Sequence, residues 1–183
     1  RIHQEANRLT DLVRDIIQLS RLEDGTQSFP KEKVNIYEMT QDIMRDLTHP
    51  AKKKNVQMSL HGGTAEIVGV RHVYEMLYNL MDNGIKYNKE NGKLDTRVWT
   101  TLDKIYWQVQ DTGIGILPED QERIYERFYR VDKSHSRKSE DDGGTGLGLS
   151  IVKHGAAMHQ ATINTESQLG KGTTITLAFP KNK

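Results

Sequence analysis

The stretch Tyr78-Asn79-Leu80-Met81-Asp82-Asn83-Gly84-Ile85-Lys86-Tyr87-Asn88 decides how the rest of the chain is interpreted. With the residues just before it, this stretch predicts an amphipathic helix, because at about 100° per residue its apolar positions fall on one stripe. That stripe comprises Val73, Met76, Leu77, Leu80 and Gly84. A polar stripe beside it carries Asn79, Asn83 and Lys86, with Tyr87 on the border between the two.

The polar stripe suits a nucleotide bound with a metal ion. Asn79 and Asn83 lie one helical turn apart and offer carboxamide oxygens to a hard cation such as Mg²⁺. Lys86 can meet phosphate, and Tyr87 offers a flat ring. From this stretch alone, an ordinary surface helix with asparagines near a frayed end is an equal alternative.

Asp111 is the second candidate site residue. Counting by twos along its predicted strand places it on the same face as Ile105, Trp107 and Val109, so its carboxylate is aimed inward at the strand's end. Burial of a carboxylate is costly unless donors reach it, and the exocyclic amine of adenine would be a fitting donor. The glycines of Thr112-Gly113-Ile114-Gly115 would let the backbone approach a ligand closely. A self-capping Asp-Thr-Gly turn is the alternative.

A third candidate is the glycine-rich run Gly143-Gly144-Thr145-Gly146-Leu147-Gly148-Leu149, which leads into a predicted helix. Free N–H groups at a helix N-terminus favour phosphate. The run is not a P-loop, because no Gly-Lys-Ser/Thr closes it, and it lacks the βαβ context of a dinucleotide fingerprint. Taken alone, it could also be a hinge.

Composition bounds the class of protein. The chain has 183 residues, enough for one domain plus an appendage, and its net charge of +1 argues against a general nucleic-acid or membrane-surface binder. With no cysteine, disulfides and thiol chemistry are excluded, which is consistent with a cytoplasmic protein. No apolar run approaches a membrane span. Since the chain starts within a predicted helix and without Met, we expect it to be part of something longer.

The predicted elements describe an N-terminal helix followed by a mixed α/β region. Residues 1–25 are predicted to form the helix, and 26–33 a linker. The helix has a narrow apolar seam that requires a partner helix, and the chain offers no second helix of similar length next to it. The seam comprises Ile2, Ala6, Leu9, Val13, Ile16 and Leu19. The remaining predictions are strands at 34–36, 56–60, 65–68, 93–101, 105–110, 161–166 and 173–179, and helices at 39–50, 73–88, 118–127 and 147–158, with a mobile loop at 129–145. Helices and mostly antiparallel strands in this order favour a two-layer α/β sandwich for residues 34–183.

Four of these segments resemble the motifs of sensor histidine kinases, in the family's order. Residues 79–88 resemble the N box, 111–115 the first glycine box, 127–130 the F box and 144–149 the second glycine box. The N-terminal helix is similar to the second helix of the family's dimerisation and phosphotransfer hairpin. The resemblance implies that residues 34–183 form a Bergerat-type ATP-binding domain, as in gyrase, Hsp90 and MutL ATPases.

The resemblance also implies roles for individual residues. Asn83 would hold Mg²⁺, Asn79 would help at the phosphates, and Lys86 and Arg130 would contact the phosphate chain, so that Asn79, Lys86 and Arg130 form the catalytic set. Tyr87 would pack on adenine, and Asp111 would accept from its amine. The other implied nucleotide contacts are Gly113, Gly115, Ile116, Gly144, Thr145, Gly146, Leu147, Gly148 and Leu149. Phe128 is expected to be a core residue that anchors the start of the lid.

One difference from the hydrolytic relatives predicts the reaction. They place a Glu that activates water where this chain has Asn79, which is neutral and cannot take a proton. The site therefore suits a nucleophile other than water, and the resemblance implies that this nucleophile is a histidine imidazole. None of the seven histidines lies in the family's H-box context, so we expect the acceptor on the first hairpin helix, upstream of Arg1. The chain departs from the usual sequence of sensor histidine kinases at two other positions. These are Gly84, where Ala is usual, and Gln160-Ala161, where a Gly is common.

The predicted function is the ATP-binding catalytic domain of a sensor histidine kinase, whose phosphohistidine passes the group to an aspartate of a response regulator. The expected partners are ATP or ADP with Mg²⁺, its own hairpin, the cognate receiver domain and a second copy in the full-length homodimer, but not nucleic acid. The expected location is the cytoplasmic part of a membrane-anchored bacterial sensor. A degenerate nucleotide-sensing module and a gyrase-type ATPase are the alternatives.

Overall fold

A computed structural model describes residues 2–23, 30–70, 72–130 and 146–181. The helices are α1 (Ile2–Glu23), α2 (Ile36–Asp46), α3 (Thr48–Lys54), α4 (Val73–Lys86) and α5 (Gly148–Met158), with a short 3₁₀ turn at Arg123–Tyr125. The strands are β1 (Glu32–Asn35), β2 (Gln57–Gly62), β3 (Glu66–Gly69), β4 (Lys93–Thr100), β5 (Lys104–Asp111), β6 (Thr162–Gln168) and β7 (Gly172–Pro180). No helix of this described part is long and apolar enough to cross a membrane.

The main sheet has five strands in the order β2-β4-β5-β7-β6. Strands β2 and β4 run parallel, and the other neighbours are antiparallel. Strands β1 and β3 form a separate antiparallel pair. Along β5, buried residues alternate with more exposed ones, which is the period expected of a strand covered on one face. Helices α2, α4 and α5 cover that face and share one apolar core with it, so the predicted two-layer α/β sandwich is confirmed.

A buried polar contact joins the two layers beneath α2. The indole Nε1 of Trp107 on β5 donates to Oγ1 of Thr40 at 2.9 Å, and that hydroxyl donates to the carbonyl oxygen of Ile36 at 2.6 Å. Both side chains are fully buried, so each needs a partner. The pair fixes the position of α2 over the sheet.

Several predicted elements differ from those observed. Strand β1 begins at Glu32, inside the predicted linker 26–33, because Glu32 and Lys33 pair with Gly69 and Val68 of β3. Ile36 lies in α2 rather than in a strand, since the side chain of Asn35 accepts from the N–H groups of the first turn and starts the helix there.

Two of the predicted helices are also changed. The helix predicted at 39–50 is divided at Leu47 into α2 and α3. The α-helix predicted at 118–127 is wrong, because the chain forms turns there and only one 3₁₀ turn, Arg123–Tyr125. Most of the other boundaries differ by one or two residues. The end predicted for α1 at Asp24-Gly25 and the loop over 131–145 lie outside the described residues.

Helix α1 contacts the sandwich through its C-terminal half. Leu19 is buried in a small cluster with Leu147 and Ile151 near the start of α5. Leu19 therefore has a partner within this chain, contrary to the expectation that the whole seam lacks one. The rest of the seam stays exposed, with Leu9 at 61% and Val13 at 48%.

Candidate nucleotide site

Helix α4 presents its two stripes as the sequence predicts. The residues of the apolar stripe, including Leu80 and Gly84, are buried, whereas Asn79, Asn83 and Lys86 are half-buried. Gly84 has a packing reason, because a Cβ added there would lie 2.4 Å from Cδ1 of Leu94 on β4. The departure from Ala at this position therefore lets α4 approach the sheet closely.

Lys86 is held on the polar stripe by an acidic neighbour. Its Nζ lies 2.9 Å from Oδ2 of Asp82, one turn earlier. Burial lowers the pKa of Lys86, but the charge and hydrogen bond of Asp82 outweigh it and the pKa is raised overall. The side chain is therefore a cation at neutral pH. The sequence reading assigned no role to Asp82, although the i, i+4 spacing is a recognisable signal.

The C-terminal end of α4 is capped by a lysine that the sequence reading missed. Nζ of Lys54, at the end of α3, donates to the carbonyl oxygens of Lys86 and, at 3.4 Å, of Ile85. The last carbonyls of a helix have no partner within the helix, and a cation there is favourable. The contact spans about thirty residues of sequence, so no local pattern could have revealed it.

Asp111 ends β5 with its carboxylate largely buried, as predicted. Oδ1 accepts from the N–H of Gly113 at 2.9 Å and from the N–H of Thr173 at 3.2 Å. Burial raises the pKa of Asp111 from 3.8 to about 6, although these two hydrogen bonds act to lower it. Among the described residues both of these hydrogen bonds go to Oδ1, and none is found to Oδ2.

The turn after Asp111 is packed against the last hairpin. Gly115 has a φ of +74° and no room for a side chain, because a Cβ there would lie 2.1 Å from the carbonyl oxygen of Gln168. The N–H of Ile116 donates to Oγ of Ser167 at 2.8 Å, and Ile116 is half-buried. Gly113 is buried and faces the carbonyl oxygen of Tyr87, so the first glycine box touches the end of α4.

The second glycine box, like the first, lies against helix α4. A Cβ added at Gly148, the first residue of α5, would lie 3.5 Å from Oδ1 of Asn79, so the N-terminus of α5 lies beside the polar stripe of α4. Leu147 is fully buried, and Leu149 packs against the main core. Gly146 has a φ of +77° and accepts a backbone hydrogen bond from Phe128 at 2.9 Å. Gly144 and Thr145 lie outside the described residues.

Phe128 is not the core residue that was expected. It is 58% exposed and has a φ of +60°, which is unusual for a bulky residue. Its backbone, rather than its ring, joins the segment before residues 131–145 to the segment after them. Arg130 is half-buried at the end of this segment. Tyr87, at 38% exposure, leaves part of its ring accessible beside the site.

The chain is similar to known proteins in both sequence and fold. Residues 69–183 match the model of the family described as histidine kinase-, DNA gyrase B- and HSP90-like ATPase. The chain therefore belongs to this ATPase family, and within it the curated relatives point to sensor histidine kinases.

Two of these relatives illustrate the extent of the match. The sensor histidine kinase RppB of Synechocystis is 33% identical over 182 residues, which cover 98% of this chain and 39% of RppB. The sensor-like histidine kinase SenX3 of Mycobacterium tuberculosis is 37% identical over 179 residues, which cover 96% of this chain and 43% of SenX3. The chain thus spans less than half of the length of either relative.

Solved structures show the same fold. Full-length ShkA in complex with AMPPNP superposes with a TM-score of 0.82 at 23% identity, covering 96% of this chain and 36% of ShkA. The histidine kinase ThkA in complex with the response regulator protein TrrA gives a TM-score of 0.74 at 22% identity, covering 99% of this chain and 49% of that one. Both matches extend beyond the residues that the family model covers.

Proposed function

We propose that this chain binds Mg-ATP between α4, the turn after β5 and the start of α5, and transfers the γ-phosphoryl group to a histidine of a dimerisation hairpin. The observation that carries the proposal is the convergence of three separate segments. Asn79 lies beside Gly148, and the end of α4 touches the turn that follows Asp111. An ordinary surface helix would give no reason for these contacts.

The residues of this site fit a magnesium nucleotide. Asn83 would ligate Mg²⁺ through its carboxamide oxygen, with Asn79 one turn away at the phosphates. The described residues contain no group of three or more His, Cys, Asp and Glu side chains that could hold a metal. Such a cage is not needed, because Mg²⁺ in nucleotide sites is bound through one or two protein ligands together with the phosphates. When bound, the ion supplies neutralisation of the charge on the phosphate oxygens.

The remaining roles are those that the resemblance to sensor histidine kinases implies. Lys86 would meet the phosphate chain as a cation, with Arg130 as a second cation and the N–H groups of Gly146, Leu147 and Gly148 as donors. Asp111 would accept from the adenine amine through Oδ2, and Tyr87 would pack on the ring. Gly113, Gly115 and Ile116 would line the adenine side, and Gly144, Thr145 and Leu149 would complete the nucleotide-contacting set.

Phosphoryl transfer, rather than hydrolysis, follows from Asn79. A carboxamide cannot take a proton from water, so the site lacks a general base at the position where hydrolytic relatives place a Glu. In the proposed reaction an imidazole nitrogen attacks the γ-phosphorus, the bond to the β–γ bridging oxygen breaks, and ADP leaves. The protein contributes positioning and charge neutralisation.

The hairpin partner is supported by the exposed face of α1. Among its apolar residues, Ile2 is 83%, Leu9 61% and Ile16 45% exposed. A helix with such a seam requires a partner of the same kind, and we propose the first hairpin helix and its copy in a homodimer. The response regulator complex of ThkA supports a receiver domain as the next acceptor. Because ATP is the substrate, we place the domain in the cytoplasm, as part of a membrane-anchored sensor.

The proposal is tested by incubating the chain with γ-labelled ATP and Mg²⁺, alone and with a separate hairpin domain that carries an acceptor histidine. We expect acid-labile label on the hairpin only, and weakly, because the effective concentration of a tethered domain is lost. A hairpin with His→Gln at the acceptor is the matched control. Label on this chain alone would show that one of its own histidines is the acceptor. Calorimetric binding of an ATP analogue without any transfer would favour the nucleotide-sensing module, and release of phosphate would favour the ATPase.

A further inference from the structure

Asn88 and Thr112 form a polar bridge directly behind the proposed adenine contacts. Oδ1 of Asn88 accepts from Oγ1 of Thr112 at 3.0 Å and from the N–H of Lys89 at 3.0 Å. Nδ2 of Asn88 donates to the carbonyl oxygen of Lys93 at 2.9 Å, and Oγ1 of Thr112 accepts from the N–H of Lys93 at 2.9 Å. The bridge therefore closes a ring between the end of α4, the start of β4 and the end of β5.

The side chain of Asn88 is built into the fold and is not a surface group. The residue is only 4% exposed, and its carboxamide oxygen and nitrogen both have partners. Gly92 leaves the space for it, because a Cβ at Gly92 would lie 2.1 Å from Oδ1 of Asn88. A buried amide whose oxygen and nitrogen both have partners favours one local geometry, because displacement would leave polar groups unpaired.

The place of this ring in the sequence gives it a role. Asn88 directly follows Tyr87, and Thr112 directly follows Asp111, so the ring joins the residues next to both proposed adenine contacts. The N–H of Ile114 also donates to the carbonyl oxygen of Tyr87 at 3.1 Å. Thr112 Oγ1 and the Ile114 N–H thus tie the turn after β5 to the end of α4 at two points.

We propose that Asn88 and Thr112 are positioning residues for adenine recognition: their side-chain bridge holds Asp111 and Tyr87 at the spacing that the base requires. The inference rests on the proposed nucleotide binding. The two residues touch no nucleotide in this scheme and act through their neighbours. Neither residue had a role in the sequence reading, because the hydrogen bond between them joins segments 24 residues apart.

The test compares isosteric variants at Thr112. Thr112→Val removes the hydroxyl and keeps the branched shape, whereas Thr112→Ser keeps the hydroxyl. By calorimetry with Mg²⁺ and an ATP analogue, we expect Thr112→Val to weaken binding by about tenfold, because the hydroxyl's hydrogen bonds to Asn88 and to the N–H of Lys93 are both lost. Thr112→Ser should stay within about twofold of the parent. Asn88→Ala should weaken binding at least as much. In the double variant, Thr112→Val with Asn88→Ala, the two losses of binding free energy should not add, because each single change already breaks the same bridge.

Two further readouts separate positioning from general destabilisation. The preference for an ATP analogue over a GTP analogue should shrink in Thr112→Val, because the base contacts are misplaced, whereas a loss of stability would weaken both nucleotides equally. Thr40→Ala is the matched control, since it breaks a buried side-chain hydrogen bond that involves neither the bridge nor a proposed nucleotide contact. It should lower the melting temperature without changing the dissociation constant.

The outcomes are distinct. If the parent binds the ATP analogue and Thr112→Val binds it equally well with the same base preference, the positioning inference is overturned. The same conclusion follows if Thr40→Ala weakens binding as much as Thr112→Val. If the parent itself binds no nucleotide, the proposed function fails and the inference falls with it.

Discussion

Two regions of the molecule are held together by opposite kinds of contact. At the adenine edge, where α4 and β5 end, the carboxylate of Asp111 and the side chains of Asn88 and Thr112 each have directed hydrogen bonds to backbone or to one another. At the α1–α5 contact, by contrast, the buried cluster is made of three aliphatic side chains, Leu19, Leu147 and Ile151. Beyond this cluster, the carboxylate of Glu23 on α1 pairs with Arg127 and lies 3.4 Å from Nε2 of His154 on α5.

The difference follows from what each contact must do. Hydrogen bonds lose strength steeply with angle and distance, so a network of them fixes one geometry. Apolar burial is non-directional and roughly proportional to area, so a helix can shift on such a contact at little cost. The adenine edge is therefore expected to keep its geometry without nucleotide, whereas α1 is expected to move relative to the sandwich. Much of the remaining α1 seam is exposed, including Leu9, Val13 and Ile16.

The largest effect is expected where the apolar contact is broken. Leu19→Ala removes a side chain that is 4% exposed, and Leu→Ala changes at such positions cost about 2–5 kcal/mol. We expect α1 to detach, so that its amides lose protection in hydrogen exchange while β4, β5 and β7 keep theirs. Leu9→Ala is the matched control, because Leu9 lies on the same helix and is 61% exposed. Equal loss of protection across the sandwich would show that α1 and the domain unfold as one unit.

At the adenine edge, Asp111→Asn should separate affinity from stability. The variant keeps a side-chain oxygen for the N–H groups of Gly113 and Thr173, but loses the charge that would accept from adenine. We expect binding of an ATP analogue to weaken by about 1–3 kcal/mol. The free energy of unfolding at pH 7 should rise, because a largely buried carboxylate no longer has to be ionised in the folded state. Calorimetry and urea unfolding measure the two effects, and unchanged affinity would show that the carboxylate does not meet the base.

The raised pKa of Asp111 also predicts how the difference in stability between Asp111→Asn and the parent depends on pH. Since the pKa of Asp111 is raised from 3.8 to about 6, the folded chain binds a proton between these values that the unfolded chain does not. Its contribution to stability therefore falls as the pH rises through this window. The advantage of Asp111→Asn over the parent should be full at pH 7 and small near pH 4. An advantage that is equal at both pH values would contradict the raised pKa.

Two buried threonines test whether the contribution of a buried hydroxyl to stability depends on its having a hydrogen-bond partner. Thr40 accepts from Trp107 Nε1, whereas Thr96 Oγ1 is buried with no hydrogen-bond partner among the described residues. Thr40→Val should destabilise the fold by about 1–3 kcal/mol, because a buried indole N–H is left unpaired. Thr96→Val should stabilise it by about 1 kcal/mol, because an unpaired hydroxyl is replaced by a methyl group of the same shape. Thermal unfolding of both variants decides the point, and a loss of stability in Thr96→Val would reveal an unrecognised partner.

How much the sequence could predict follows the same division between local and distant contacts. The stripes of α4, the inward Asp111 and the start of α5 were predictable, because each depends on a period or a turn within one segment. The bridge from Asn88 to Thr112, the Lys54 cap and the packing of Leu19 on α5 were not, since they join distant segments and leave no local pattern. The helix predicted at 118–127 was wrong. Pro118 is common in a first helical turn but is equally compatible with the turns found here, which lead only into the 3₁₀ turn Arg123–Tyr125. The site roles themselves stay predictions.

The smallest expected effect lies at the far end of α5, away from both regions. Gln160 follows the last turn of this helix with a φ of +52°, at the position where helices commonly end on glycine. The left-handed conformation costs a residue with a Cβ about 1–2 kcal/mol, and a glycine there avoids this cost. Glycine also has more freedom in the unfolded chain, which lowers stability by roughly 0.5–1 kcal/mol. Gln160→Gly should therefore stabilise the fold by about 0.5–1 kcal/mol, measured by urea unfolding, and leave ATP-analogue affinity unchanged.

Asn55 is the matched control, because it also has a positive φ, of +51°, but its side chain donates to Asn91 at 2.6 Å. Asparagine tolerates this conformation, so Asn55→Gly should bring no gain. If Gln160→Gly instead changes nucleotide affinity, the end of α5 is coupled to the site at Gly148, and the helix responds to substitution as one rigid element.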